Sequence, residues 1–241
     1  MRTLNCGGRL IQSKATDHNW VNPRLNCVAC LPLILISGTV MTKPIFSNNS
    51  NKIAMLAIGS LLLVLMLMTR GNHFMSSVNL PSASIAVFFL AGLYLSRISA
   101  FWFFYITSIV IDLSVSYSKG DFGSCITNTY PLLAFSYGAV FYAGRLLSVS
   151  VATGLSTTLA LKTLLVLFIG TSVAFVISNG SYYWFSGNYV EPNWQEYTER
   201  FAKYYPSYIL RPLYYVVPAL LIHWTFSTIR IKQQIDAIKI K

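Results

Sequence analysis

The stretch richest in reactive groups is Gly120 to Leu133, GDFGSCITNTYPLL, where Cys125 is followed two residues on by Thr127 and five on by Tyr130. A thiolate is a strong nucleophile and a soft metal ligand, so this cysteine could bind a soft metal or attack a group that such a metal carries. Three other cysteines, Cys6, Cys27 and Cys30, lie far upstream. Cys27-x-x-Cys30 has no second pair and no adjacent histidine to complete a metal site. Two further groups invite the same question. His73 stands in a polar segment, RGNHFMSSVNLPS, and Asp112 interrupts an apolar run. A neutral imidazole, a thiolate and a carboxylate brought to one level are the usual ingredients of a transition-metal site. Each also has a plainer reading: a solvated loop histidine, a carboxyl close enough to the surface to reach water, and a buried apolar thiol.

The elements that must position these groups are membrane helices. The 241 residues are 54% hydrophobic and 10% charged, with a mean hydropathy of +0.55, which does not describe a soluble domain. A span takes roughly 20 apolar residues. The sequence predicts six, over 53–69, 83–97, 100–117, 130–147, 158–178 and 208–228. The expected fold is an all-α six-transmembrane-helix bundle in one domain, 41–241. The second and third spans meet in a turn too short for anything but a hairpin. Residues 1–40 are polar and then weakly apolar, broken by Pro32 and Gly38, and are expected to be a disordered or mis-assigned N-terminal extension. Pro192 to Tyr205, PNWQEYTERFAKYY, carries Trp194, Tyr197, Phe201 and Tyr204 at helical spacing and is expected as an amphipathic helix in the interface.

Charge sets the orientation. The formal net charge is +11, with no basic block interleaved with aromatics outside the apolar runs, so nucleic acid is not an expected partner. From Met41 onward, nine basic residues (Lys43, Lys52, Arg97, Arg145, Lys162, Arg230, Lys232, Lys239 and Lys241) fall on the side of the two termini. Five (Arg70, Lys119, Arg200, Lys203 and Arg211) fall on the other. Excess Lys and Arg marks the cytoplasmic face, so both termini are expected there, with His73, Cys125 and the near end of the Asp112 span on the opposite face. An ionisable group inside a span costs at least ~2.5 kcal/mol unless it meets a partner or water, so Asp112 should point inward. No phosphate-binding glycine loop, nucleophile elbow or carboxylate pair within one span is present, which leaves the cysteine as the centre of any chemistry.

Several of these features in order, HF followed by LPSASIAVFFLAGLYL, an acidic residue in the third span, Cys125-x-Thr127-x-x-Tyr130 and then YGAVFYAGR, resemble the BtuM family of vitamin B12 transporters. These are relatives of the S-components of energy-coupling-factor (ECF) transporters. The resemblance covers Ile53 to Leu147 well and the last two spans in outline. It implies an ECF S-component-like bundle in a bacterial inner membrane that binds cobalamin, as substrate and with no separate cofactor, from the periplasmic side. It further implies that Cys125 is an axial ligand to the cobalt and removes cyanide from cyanocobalamin, and that His73, Asp112 and Tyr130 line the same site. Phe88, Phe104, Tyr105, Tyr137 and Tyr142 would supply aromatic walls.

The chain departs from the family pattern at Asn128, where a proline is expected. Ala54, Ala57 and Ser60 do not reproduce the small-residue face with which S-components dock an ECF energising module, which fits a solitary transporter. Two other readings stay open from the residues alone: a membrane thiol oxidoreductase with Cys125 as nucleophile, and an S-component for another vitamin.

Overall fold

The computed structural model describes residues 49–70, 81–119, 129–153 and 156–239. The expected extension, 1–40, and the segments that carry His73 and Cys125 lie outside the described residues. Every regular element among the described residues is helical: α1 (Asn49–Arg70), α2 (Ser84–Leu95), α3 (Ile98–Lys119), α4 (Leu133–Thr153, entered through a 3-10 turn at Tyr130–Leu132), α5 (Thr157–Phe185) and α6 (Trp194–Lys239). Five of them, α1, α3, α4, α5 and α6, are long and apolar enough to cross a membrane. Their outward faces are oily: Leu56 and Leu61 on α1, Ile106 and Val110 on α3 and Leu146 on α4 are all more than half exposed. Large apolar side chains pointing away from the bundle are what a helix surrounded by lipid presents, so the protein is a multi-pass membrane protein.

The expected second span, 83–97, is shorter than a span. Seven residues of α-helix, Ser84–Leu90, continue into five of π-helix, Ala91–Leu95, roughly 18 Å of rise against a hydrocarbon core of about 30 Å. Every residue from Ser84 to Leu93 is buried. The run is apolar on all sides because protein surrounds it on all sides, which in sequence looks the same as lipid around a spanning helix. The tight turn after it is present: Ser96 takes a left-handed conformation (φ 48°), its N–H bonds to Ala91 O at 3.0 Å, and α3 begins two residues later.

Side-chain contacts fix the helix directions. Arg70 meets Ser84, so α2 starts where α1 ends. Phe88 stacks on Tyr137, while Gly92 abuts Phe141, so α2 and α4 run parallel. Ser136 bonds to Ala174 O and Gly170 lies against Ala143, making α4 and α5 antiparallel. Trp184 meets Trp194 and Phe175 meets Phe201, which makes α5 and α6 antiparallel as well. Direction therefore alternates from α1 to α6, with α2 included although it is short.

The 192–205 segment is not a separate interfacial helix. It forms the first turns of α6, a single helix of 46 residues that carries Pro206, Pro212 and Pro218 in its interior. Its aromatics pack against α5: the Trp184 and Trp194 rings are 5.1 Å apart, as are those of Phe175 and Phe201. Prolines are tolerated in membrane helices where neighbouring groups satisfy the backbone they free.

Candidate functional site

The site is built around Arg70, the last residue of α1. Its guanidinium forms a bidentate pair with Asp112 of α3, Nε donating to Oδ1 at 2.8 Å and Nη2 to Oδ2 at 2.6 Å. Nη1 donates to Ser84 Oγ at 2.8 Å and to the Tyr137 hydroxyl at 2.9 Å. The two charged side chains retain only 10% and 20% of their exposure. Tyr130, in the turn that leads into α4, donates its hydroxyl proton to Asp112 Oδ2 at 2.5 Å. One carboxylate thus collects three donors from two elements, and one guanidinium ties together α1, α2, α3 and α4. The planar fork of arginine suits such a hub, since it can serve a carboxylate with two parallel bonds and still direct other N–H groups elsewhere.

The chain builds this arrangement from local features. Arg70 sits at the C-terminal end of α1, where a cation is favoured by the helix dipole. Thr69 accepts a bond from Ala83 N–H at 3.2 Å, holding the approach to α2 beside the end of α1. Tyr215 of α6 donates to Pro81 O at 2.5 Å from the other side. Tyr137 is fixed face to face on Phe88, with ring centroids 4.4 Å apart and planes within 9°, and the Arg70 guanidinium carbon lies 5.5 Å from its ring centre.

Two of the residues expected at a site, Asp112 and Tyr130, are therefore in direct contact. The other two, His73 and Cys125, lie outside the described residues. Among the expected aromatic walls, Phe88, Phe104, Tyr105 and Tyr137 are buried in the bundle. Tyr142 is not a wall residue: it is 51% exposed on the outside of α4, with the Arg145 guanidinium 5.8 Å from its ring centre. Position 142 is turned about 100° around the helix from Phe141, the buried residue that faces α2. The sequence reading missed Arg70, which it took only as the end of a span. The available signal was Asp112 itself, because an inward carboxylate needs a cation at its own depth.

The interior changes character along its length. At the Arg70 end it is polar, with Thr69, Ser84, Ser116 and Ser136 buried beside the ion pair. Toward the other end it is aromatic and close-packed, with Phe89, Leu93, Phe101, Phe104 and Phe141 buried. Buried hydroxyls there, such as Ser148 and Thr163, bond to carbonyls of their own helices. A second polar group lies between α5 and α6. The buried Tyr183 hydroxyl accepts from Asn193 N–H at 2.9 Å and faces Asn193 O and Glu196 Oε2, both at 3.0 Å. Arg200 lies over the rings of Tyr189 and Tyr204, at 4.8 and 5.3 Å. Among the described residues no three of His, Cys, Asp and Glu come together as a metal site.

No protein-family model matches the chain, and no curated protein matches it.

Proposed function

We propose that this protein takes up cobalamin across a bacterial inner membrane, in a six-helix bundle like that of an ECF S-component whose second helix is the short buried α2. Cobalamin binds at the Arg70 end, with Cys125 as axial ligand to cobalt and His73, Asp112 and Tyr130 around it. The observation that carries this reading is the Asp112–Tyr130 contact inside the Arg70 cluster. Two residues that the family pattern assigns to one site, from different helices, share a carboxylate in the polar half of the bundle. In sequence, His73 follows Arg70 by three residues and Cys125 precedes Tyr130 by five.

The chemistry is that of ligand exchange. A thiolate donating to cobalt(III) weakens the bond to the ligand on the opposite face. Cyanide then leaves with its electron pair and takes a proton from water, while the cobalt keeps its oxidation state. Lys52, Arg97, Arg145 and Lys162 lie toward the opposite end of the bundle. The excess of basic residues makes that end cytoplasmic, which puts the Arg70 end on the periplasmic side and both termini in the cytoplasm. The chain acts alone or with a borrowed ECF energising module.

The test is to purify the protein from cells grown with cyanocobalamin and to record its visible spectrum. The proposal expects a bound corrinoid whose bands move on Cys125→Ala. A colourless protein that also fails to rescue a B12-dependent strain overturns it. Binding unchanged in affinity and spectrum after Cys125→Ala removes the ligand role.

A further inference from the structure

We infer that Arg70 is the positioning residue of this site. It never needs to touch the ligand, and it sets where the hydroxyls of Tyr130 and Tyr137 stand. Its two bonds to Asp112 leave Oδ2 aimed at the Tyr130 hydroxyl, and its Nη1 bond holds the Tyr137 hydroxyl directly. The Ser84 bond fixes the guanidinium against the start of α2. A lone carboxylate in this position would be free to rotate. Paired in a bidentate fork, it is held in one orientation and as an acceptor. The charge on Arg70 is cancelled by Asp112, so what the cluster offers a ligand is a pair of located phenols rather than a free cation. The inference rests on the proposed function for the identity of the ligand but not for the positioning itself.

The decisive variant is Arg70→Lys, which keeps the charge and loses the fork, so that one ammonium cannot serve Asp112, Ser84 and Tyr137 together. Two readouts separate the questions. In full-length protein labelled with 3-fluorotyrosine, the Tyr130 resonance, assigned by its loss in Tyr130→Phe, moves in Arg70→Lys, while those of Tyr183 and Tyr189 stay in place. This needs no cobalamin, so it holds even if the transport reading fails. An unmoved Tyr130 resonance in folded Arg70→Lys protein overturns the inference.

In cobalamin titrations followed by visible absorption, Arg70→Lys and Tyr130→Phe each weaken binding about tenfold or more. The combined variant is no weaker than the worse single one, because both remove the same located hydroxyl. Independent, multiplying losses overturn the inference. Should Arg70→Lys not fold, Arg70→Met/Asp112→Leu removes both charges and avoids an unpaired one. Positioning expects this variant to bind as poorly as Tyr130→Phe, and wild-type affinity in it overturns the inference.

Discussion

The contact between α2 and α4 gives the sharpest quantitative expectation. A methyl group built on Gly92 would lie 2.0 Å from the carbonyl oxygen of Phe141, and one on Gly144 would lie 2.2 Å from that of Phe89. Both obstacles are backbone, so no side-chain rotation relieves them. An ordinary carbon–oxygen contact is about 3.3 Å, so alanine forces the two helices apart by about 1.3 Å at Gly92 and about 1.1 Å at Gly144. One turn along, the same movement pulls Phe88 off Tyr137. Overpacking costs about 1–3 kcal/mol and the lost ring pair about 0.5–1.5 kcal/mol. Against this, alanine is the better helix former by roughly 0.5–1 kcal/mol. The net expectation is a loss of about 2 kcal/mol, within a range of about 0.5–4 kcal/mol, for Gly92→Ala and for Gly144→Ala.

Gly138, on the same helix α4, has nothing within 4 Å of its built methyl and supplies the internal control. Gly138→Ala is neutral or stabilising by up to about 1 kcal/mol. Gly170, where the obstacle is the Ala143 side chain at 2.8 Å, falls between. Unfolding by increasing mole fraction of SDS in dodecyl maltoside, followed by circular dichroism, ranks the four variants. If Gly92→Ala and Gly144→Ala unfold at the same point as Gly138→Ala, the close crossing of α2 and α4 is wrong, and so is the account of how Tyr137 is held.

Other expectations follow from the polar clusters. Arg70→Ala leaves Asp112 buried without its partner and lowers stability by about 3–5 kcal/mol, whereas Arg70→Met/Asp112→Leu costs far less; the same SDS titration distinguishes them, and equal losses would show that the pair is solvated. Tyr183→Phe strips the part-buried Asn193 N–H of its acceptor and is expected to cost about 0.5–1.5 kcal/mol, read as faster hydrogen exchange at the start of α6. On the transport reading, Tyr142→Ala, on the exposed face of α4, should leave cobalamin affinity within twofold of wild type; a tenfold loss by titration would return that ring to the site.

The helices were legible in the sequence wherever one side of a run faces lipid for its full length, as in α1, α3 and α5. The failure at α2 has a physical origin. Hydropathy measures the dryness of the surroundings and not their identity, and Ser84–Leu93 is dry because protein encloses it. At α6 the expectation ended one helix at Tyr205 and began the span at 208, whereas the helix runs on through Pro206. A proline ends a helix in water more readily than in a membrane, where breaking a helix exposes several backbone groups rather than one. Asp112 could be assigned an inward direction from its cost alone, and Tyr130 from its place in a motif. Arg70 escaped because a basic residue closing a span is the ordinary marker of an interface. Nothing in the α1 sequence distinguishes an arginine that reaches water from one that turns back to meet a carboxylate on α3.

The gradient along the interior bears on how a transporter built this way could work. A ligand held beside Arg70 and Asp112 stands over a floor in which α2 and α4 touch through backbone at Gly92 and Gly144, with Phe89, Phe101 and Phe141 filling the space around them. Rotating side chains cannot open that floor, because the contacts that close it are main-chain atoms. On the transport reading, release toward the other face requires whole helices to part, and the Arg70 cluster is where their relative placement is fixed. The guanidinium joins four helices through four hydrogen bonds, and a fifth ties Tyr130 to the same Asp112 carboxylate, so a ligand that draws Tyr130 or Tyr137 toward itself acts on the same bonds that hold α1, α2, α3 and α4 together. Binding and helix rearrangement are then coupled by a shared set of hydrogen bonds, and the coupling free energy is limited to what those bonds contribute.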